Sequence, residues 1–181
     1  MPSWNYGWNA AYFITICTQH REHWFGEIVS DTDALTCVLL GEIVNTEWLK
    51  TFEMRPDMNL WMGEYVIMPN HFHAIIGIGE NKYNTSIVQT QCIDSNSVQT
   101  QCIASLQQNQ FAPQSKNLAS IVRGFKIGVT KNTRKINPGF AWQARYHDHI
   151  IRDDKSYQRI SEYIVNNPLK WTEDKFYDIS K

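Results

Sequence analysis

Two rhythms of apolar and polar positions run along the chain. Residues 11–18, Ala-Tyr-Phe-Ile-Thr-Ile-Cys-Thr, are rich in β-branched and aromatic side chains and predict a first strand. Leu35, Val38, Leu39, Ile43 and Val44 recur at helical spacing. They predict a helix capped by Ser30 or Asp31 and running to about Phe52. The apolar stretches 60–68 and 71–78 are parted only by Pro69-Asn70, which predicts a tight hairpin. Leu118, Ile121, Val122, Phe125 and Val129 form the apolar stripe of a second helix over about 118–132. Gly124 and Gly128 weaken that helix but allow a close backbone approach. A strand over about 146–152 follows, then a helix over about 155–167 that Pro168 ends. The order β-α-β-β-α-β with a terminal helix predicts an α+β, ferredoxin-like split βαβ fold. Its antiparallel sheet should carry two helices on one face, with the extra C-terminal helix beyond them.

The polar stretch 80–115 interrupts this rhythm. It is rich in Gln, Asn and Ser, and Val88-Gln-Thr-Gln-Cys-Ile93 recurs as Val98-Gln-Thr-Gln-Cys-Ile103. Two copies are too few for a solenoid, so the repeat reads as the expansion of a surface loop. Disorder is the expected state there, ahead of a small self-paired hairpin. The 181 residues fit one domain with a proper core, 1–181. A formal charge of −1 argues against an indiscriminate nucleic-acid binder. The distribution says something different: no acidic residue lies between Asp94 and Asp148, while Lys116, Arg123, Lys126, Lys131, Arg134, Lys135 and Arg145 do. That asymmetry fits a polyanion-facing surface or, as the plainer alternative, a solvated helix face. Cys17, Cys37, Cys92 and Cys102 form no C-x-x-C pair, which speaks against a zinc ribbon. No charged start precedes an apolar segment, and no apolar run approaches a membrane span. The chain is expected to be soluble, intracellular and reduced.

The candidate chemistry sits just after the hairpin turn. His71 and His73 stand at i and i+2 in an expected strand, so they face the same side and can hold a divalent metal together. On the final helix Tyr157, Ile160 and Ile164 make the buried stripe. Tyr163 and Asn167, one turn apart, fall together on its half-buried edge. A phenol and an amide beside a two-histidine metal site make a sensible phosphodiester-cleaving set. The metal would act as Lewis acid and Tyr163 as nucleophile. Dull alternatives stand beside each residue. A tyrosine at a helix edge usually packs, and an Asn before Pro usually stops a helix. His147 and His149 form a second same-face pair that competes for the metal.

Pro69-Asn-His-Phe-His73 together with Tyr163-Ile-Val-Asn-Asn-Pro168 resembles the single-tyrosine HUH transposases, where U is hydrophobic. More closely, the chain resembles their REP-associated tyrosine transposase branch. Residues 11–18, Trp142-Gln-Ala-Arg-Tyr146 and His147-Asp-His-Ile-Ile-Arg152 support this, and the resemblance spans nearly everything but the repeat-bearing loop. It implies that His71, His73 and Asn167 bind Mg2+ or Mn2+, that Phe72 is the U residue and that Tyr163 is the nucleophile. It implies a single-stranded DNA endonuclease and strand transferase acting on hairpin-forming palindromic repeats through a 5′-phosphotyrosine. The alternative is a hairpin-binding protein that keeps the fold without the chemistry; a zinc hydrolase of small phosphoesters ranks below both. Arg123, Lys126, Arg134, Arg145 and Arg152 are candidates for phosphate contacts, and Trp142 for base stacking or, equally, for the core. The resemblance leaves monomer and homodimer open, places the protein in the cytoplasm at the nucleoid, and assigns His149 no role. The tail after Trp171 is short, so any C-terminal regulatory segment is expected to be minimal.

Overall fold

The computed structural model describes residues 4–29, 34–37, 39–85 and 115–177. The duplicated segment lies outside the described residues. Strands β1 (Ala10–Cys17), β4 (Leu60–Met68), β5 (His71–Ile78) and β6 (His147–Ile151) form one sheet in the order β4-β5-β1-β6. All its neighbours pair antiparallel. Helices α1 (Leu39–Glu53), α2 (Leu118–Thr133) and α3 (Asp154–Asn166) complete the expected split βαβ order with its extra C-terminal helix.

Alternation along the strands gives the sheet two apolar faces. Tyr12, Ile14 and Ile16 of β1 and Phe72, Ala74 and Ile76 of β5 pack on Val44 and Trp48 of α1 and on Ile121, Val122 and Phe125 of α2. Trp48 is the hub of this layer, its ring centroid 5.0 Å from Phe72 and 5.4 Å from Phe125. The residues between them in sequence look the other way. Ile75 and Ile151 meet Ile160 and Ile164 of α3, while Cys17 and Met68 meet Trp171 and Phe176 of the C-terminal segment. So α1 and α2 cover one face and α3 covers the other. Each fully buried aliphatic or aromatic side chain contributes roughly 1.5–3 kcal/mol to holding these layers.

The helix ends follow the sequence in two cases and depart from it in one. Asn117 and Ser120 form a reciprocal capping box at the start of α2, and Asp153 accepts from Ser156 N–H at the start of α3. The two glycines of α2 make close approaches: a Cβ on Gly128 would come within 2.2 Å of Glu47 of α1, and one on Gly124 within 2.2 Å of Arg55 just beyond that helix. The expected start of the first helix is corrected. Leu35 lies in β3 (Ala34–Cys37), which pairs with β2 (Gly26–Val29) as a separate two-stranded hairpin. Helix α1 begins only at Leu39, which is 57% exposed, and its buried positions are Leu40, Gly41, Val44, Trp48 and Thr51. A short apolar run reads equally as strand or helix, and here cross-strand pairing with β2 decided it. The cap expected at Ser30 or Asp31, and Val38, lie outside the described residues.

Candidate metal centre and tyrosine site

The Pro69-Asn70 turn is buried and fixes the first imidazole. Asn70 Nδ2 donates to Arg21 O at 3.2 Å and to Phe176 O at 2.9 Å. Its Oδ1 lies 2.9 Å from His71 Nδ1, so the ring donates there and its proton sits on Nδ1. His71 Nε2 is left with a lone pair, buried and without a hydrogen-bond partner among the described residues. Phe72, between the histidines, is fully buried on the opposite face and anchors the strand that carries both.

The second imidazole lies 4.5 Å away by ring centroids. His73 Nδ1 is 2.8 Å from Thr15 Oγ1, and the Tyr163 hydroxyl is 3.2 Å from His73 Nε2. With the phenol donating to Nε2, the imidazole proton sits on Nδ1 and is donated to Thr15. Both rings are buried, at 0% and 1% exposure. Burial pushes the His71 imidazolium down to about 3, with Lys175 and Arg21 adding repulsion. Burial, and then His71, holds His73 well below the usual histidine range. Both are therefore neutral ligand-type imidazoles at ordinary pH.

Helix α3 presents Tyr163 beside Ile164, which is fully buried against Ile75 and Ile151. The Tyr163 ring is 42% exposed and edge-on to Phe13 at 6.1 Å. Burial raises its phenol above the usual value, and the charge of Asp174 raises it further. Asn167 differs from its expected half-buried place: it is 3% exposed at the C-cap of α3. The chain turns at Pro168 through a 3-10 segment and folds back over it. Asn167 Nδ2 donates to Asp174 Oδ2 at 3.1 Å, whereas its Oδ1 is buried with no partner among the described residues.

Asp174 is the residue the sequence reading missed. His71, His73 and Asp174 each offer a ligand atom, all within 4.8 Å of one another. No periodic pattern marks an acid in a short polar tail; its proximity exists only once the 3-10 segment has turned the chain. A divalent cation fits this donor set. Two imidazoles and a carboxylate converge here, Asn167 is bound to that carboxylate, and His71 Nε2 and Asn167 Oδ1 are buried with no hydrogen-bond partner among the described residues.

The competing pair lies elsewhere. Thr15 pairs with His73 on one side and with His147 on the other, so His147 shares the face but is separated from His73 by β1. His147 and His149 are exposed, and no third ligand joins them among the described residues. Of the basic candidates, Arg123, Lys126 and Arg134 line one groove with Trp142 on the α2 side of the sheet. Lys126 Nζ donates to the carbonyl of Gln143, and Arg134 Nε to that of Phe140 at 2.9 Å. Trp142 is half-buried and packs on Phe25, Phe125 and Phe140. Arg145 is exposed before β6 and Arg152 is exposed just beyond it. Trp142 forms an isolated bridge with Thr18, whose hydroxyl donates to Asn70 O at 2.9 Å.

No protein-family model matches the chain. It is 39% identical over 178 residues to an uncharacterised protein of Haemophilus influenzae, covering 98% of this chain and 90% of that one. A second protein of the same organism, provisionally named a REP-associated tyrosine transposase, is 33% identical over 104 residues, 58% of this chain and 47% of its own. A solved structure of a REP-associated tyrosine transposase bound to a REP hairpin shares the fold, with a TM-score of 0.57 at 17% identity over 95% of this chain and 74% of that one. These likenesses bear out the resemblance read from the motifs. No helix among the described residues is long and apolar enough to cross a membrane.

Proposed function

We propose that this chain, a relative of the REP-associated tyrosine transposases, is a metal-dependent endonuclease and strand transferase for single-stranded DNA. Its substrate would be palindromic repeats folded into hairpins. The observation that carries the reading is the 3.2 Å approach of the Tyr163 hydroxyl to His73 Nε2 within one chain. That approach supports a tyrosine acting in cis, in a single domain working as a monomer. The resident cation, Mg2+ or Mn2+, would be held by His71, His73 and Asn167. Its chemistry would be Lewis-acid polarisation of the scissile phosphate oxygens. Imidazole ligands favour Mn2+ by affinity.

Tyr163 Oη attacks phosphorus, the 3′ oxygen leaves as a 3′-hydroxyl, and the DNA 5′ end stays esterified to the phenol. Attack by another 3′-hydroxyl reverses the step and joins strands. The phenol loses its proton as it attacks, and burial opposes that loss, so positive charge beside the oxygen is needed. Arg123, Lys126, Arg134, Arg145 and Arg152 would neutralise phosphates, and Trp142 would stack on a base. Such work places the protein at the nucleoid, in the cytoplasm.

One observation favours a second reading, a hairpin binder without chemistry. Both imidazoles are covered, His71 by the Phe176 ring at 4.6 Å. A labelled hairpin oligonucleotide incubated with protein and Mn2+, then run on a denaturing gel, separates the two. A covalent band that disappears in Tyr163→Phe, with hairpin affinity kept within about twofold, is expected. Tight binding with no band in the unaltered protein selects the binder, and a band of undiminished yield in Tyr163→Phe removes this tyrosine from the mechanism.

A further inference from the structure

We infer that Asp174, on the C-terminal segment, is a direct ligand of the cation held by His71 and His73, so that the tail is a structural part of the metal centre. The inference rests on the metal reading above and adds an anionic ligand that the HUH and tyrosine motifs do not contain.

Geometry is the first argument. Metal–ligand distances of about 2.1 Å in an octahedral site place ligand atoms about 3.0 Å apart in cis and about 4.2 Å apart in trans. His71, His73 and Asp174 already offer atoms within 4.8 Å of one another, so closure onto a shared cation needs shifts of under about 2 Å. Of these ligand atoms His71 Nε2 is buried without a hydrogen-bond partner among the described residues, as is Oδ1 of Asn167, whose nitrogen holds Asp174.

Support for the carboxylate is the second argument. Asp174 Oδ1 accepts from Phe176 N–H at 2.7 Å and Oδ2 accepts from Asn167 Nδ2 at 3.1 Å. Each oxygen keeps a further lone pair. The amide of Asn167 thus holds Asp174 through its nitrogen, while its own oxygen is buried without a hydrogen-bond partner among the described residues. Phe176, the next ring along, packs on His71 and accepts the turn's amide proton at its carbonyl. The tail is tied to the turn on one side of Asp174 and to α3 on the other.

Charge is the third argument. Two imidazoles and an amide are neutral donors, and hard cations such as Mg2+ and Mn2+ are held chiefly by carboxylate oxygen. Within the described residues Asp174 makes no ion pair with a basic side chain, although Lys175 and Arg21 lie close enough to act on His71. A cation would be its charge partner.

Mn2+ is titrated by calorimetry into the full-length protein without DNA. Asp174→Asn, nearly isosteric, should weaken Mn2+ by at least about tenfold, the loss typical of disturbing a ligand shell, while the metal-free melting temperature stays near its original value. Asp174→Cys should bind Cd2+ with a thiolate-to-cadmium ultraviolet band that the unaltered protein lacks, and should lose its preference for Mn2+. Unchanged Mn2+ affinity in Asp174→Asn overturns the inference and leaves the histidine site standing. Weaker Mn2+ binding accompanied by a lower metal-free melting temperature, with no cadmium band in Asp174→Cys, also overturns it, because the side chain then only braces the tail. If the unaltered protein and His71→Ala both ignore Mn2+, the metal reading itself fails.

Discussion

At the scale of single residues, the site is set by what each imidazole nitrogen has left to do. Asn70 and Thr15 occupy the two Nδ1 atoms, which leaves His71 Nε2 without a partner among the described residues and His73 Nε2 to the Tyr163 hydroxyl. That arrangement requires neutral rings, and their burial has a thermodynamic consequence. The folded-state value of His71 is depressed to about 3, against about 6.5 unfolded, and His73 moves the same way. The unfolded chain therefore binds more protons between these limits, so stability is full above about pH 6.5 and is lost as pH falls towards 3. Thermal melts at pH 7 and pH 4.5 should show a clear drop in midpoint, and His71→Gln should flatten it. An undiminished drop in that variant would assign the acid sensitivity to other groups. The H-x-H spacing was legible in the sequence because strand alternation is a local rule. The third partner was not: Asn167 was expected at a half-buried edge and is buried, and Asp174 was not singled out, because a fold-back after Pro168 brings both inwards.

At the scale of elements, the hairpin and helix α3 carry the site between them. The Pro69-Asn70 turn fixes the register Met68 to His71 and Val66 to His73, which commits both histidines to the α3 face. Helix α3 is held to that face mainly by Ile160 and Ile164. Ile164→Ala should therefore cost about 2–5 kcal/mol in urea unfolding, and should lower adduct yield at temperatures where the protein remains folded, since Tyr163 is its neighbour. A cost under about 1 kcal/mol would mean that this face does not fix the tyrosine. The one element misread from sequence is instructive. Leu35, Leu39, Ile43 and Val44 suit helical spacing, yet Leu35 pairs with Ile28 in β2–β3. Helical spacing and a short strand overlap over so few residues, and the partner strand that broke the tie lies outside the window being read.

At the scale of the whole molecule, the sheet separates two surfaces: the metal centre under α3, and the groove of basic residues on α2. A net charge of −1 leaves little long-range pull, so DNA affinity should come from that local concentration. Hairpin affinity measured across a salt series should fall linearly on logarithmic axes, and Arg134→Gln should make the slope shallower by about 0.7–0.9, one phosphate contact. An unaltered slope would place the DNA elsewhere. The amino-acid sequence by itself determined the ferredoxin-like order of elements, the shared face of His71 and His73, and the pairing of Tyr163 with Asn167 one turn apart, because periodicity and short spacings are properties of a single segment. Only the tertiary structure decided that His73 rather than His147 meets the phenol, that Asn167 is buried, and that Asp174 joins the imidazoles. Those depend on which strand lies between which and on where the chain folds back, and such long-range packing leaves no mark on any one stretch of residues.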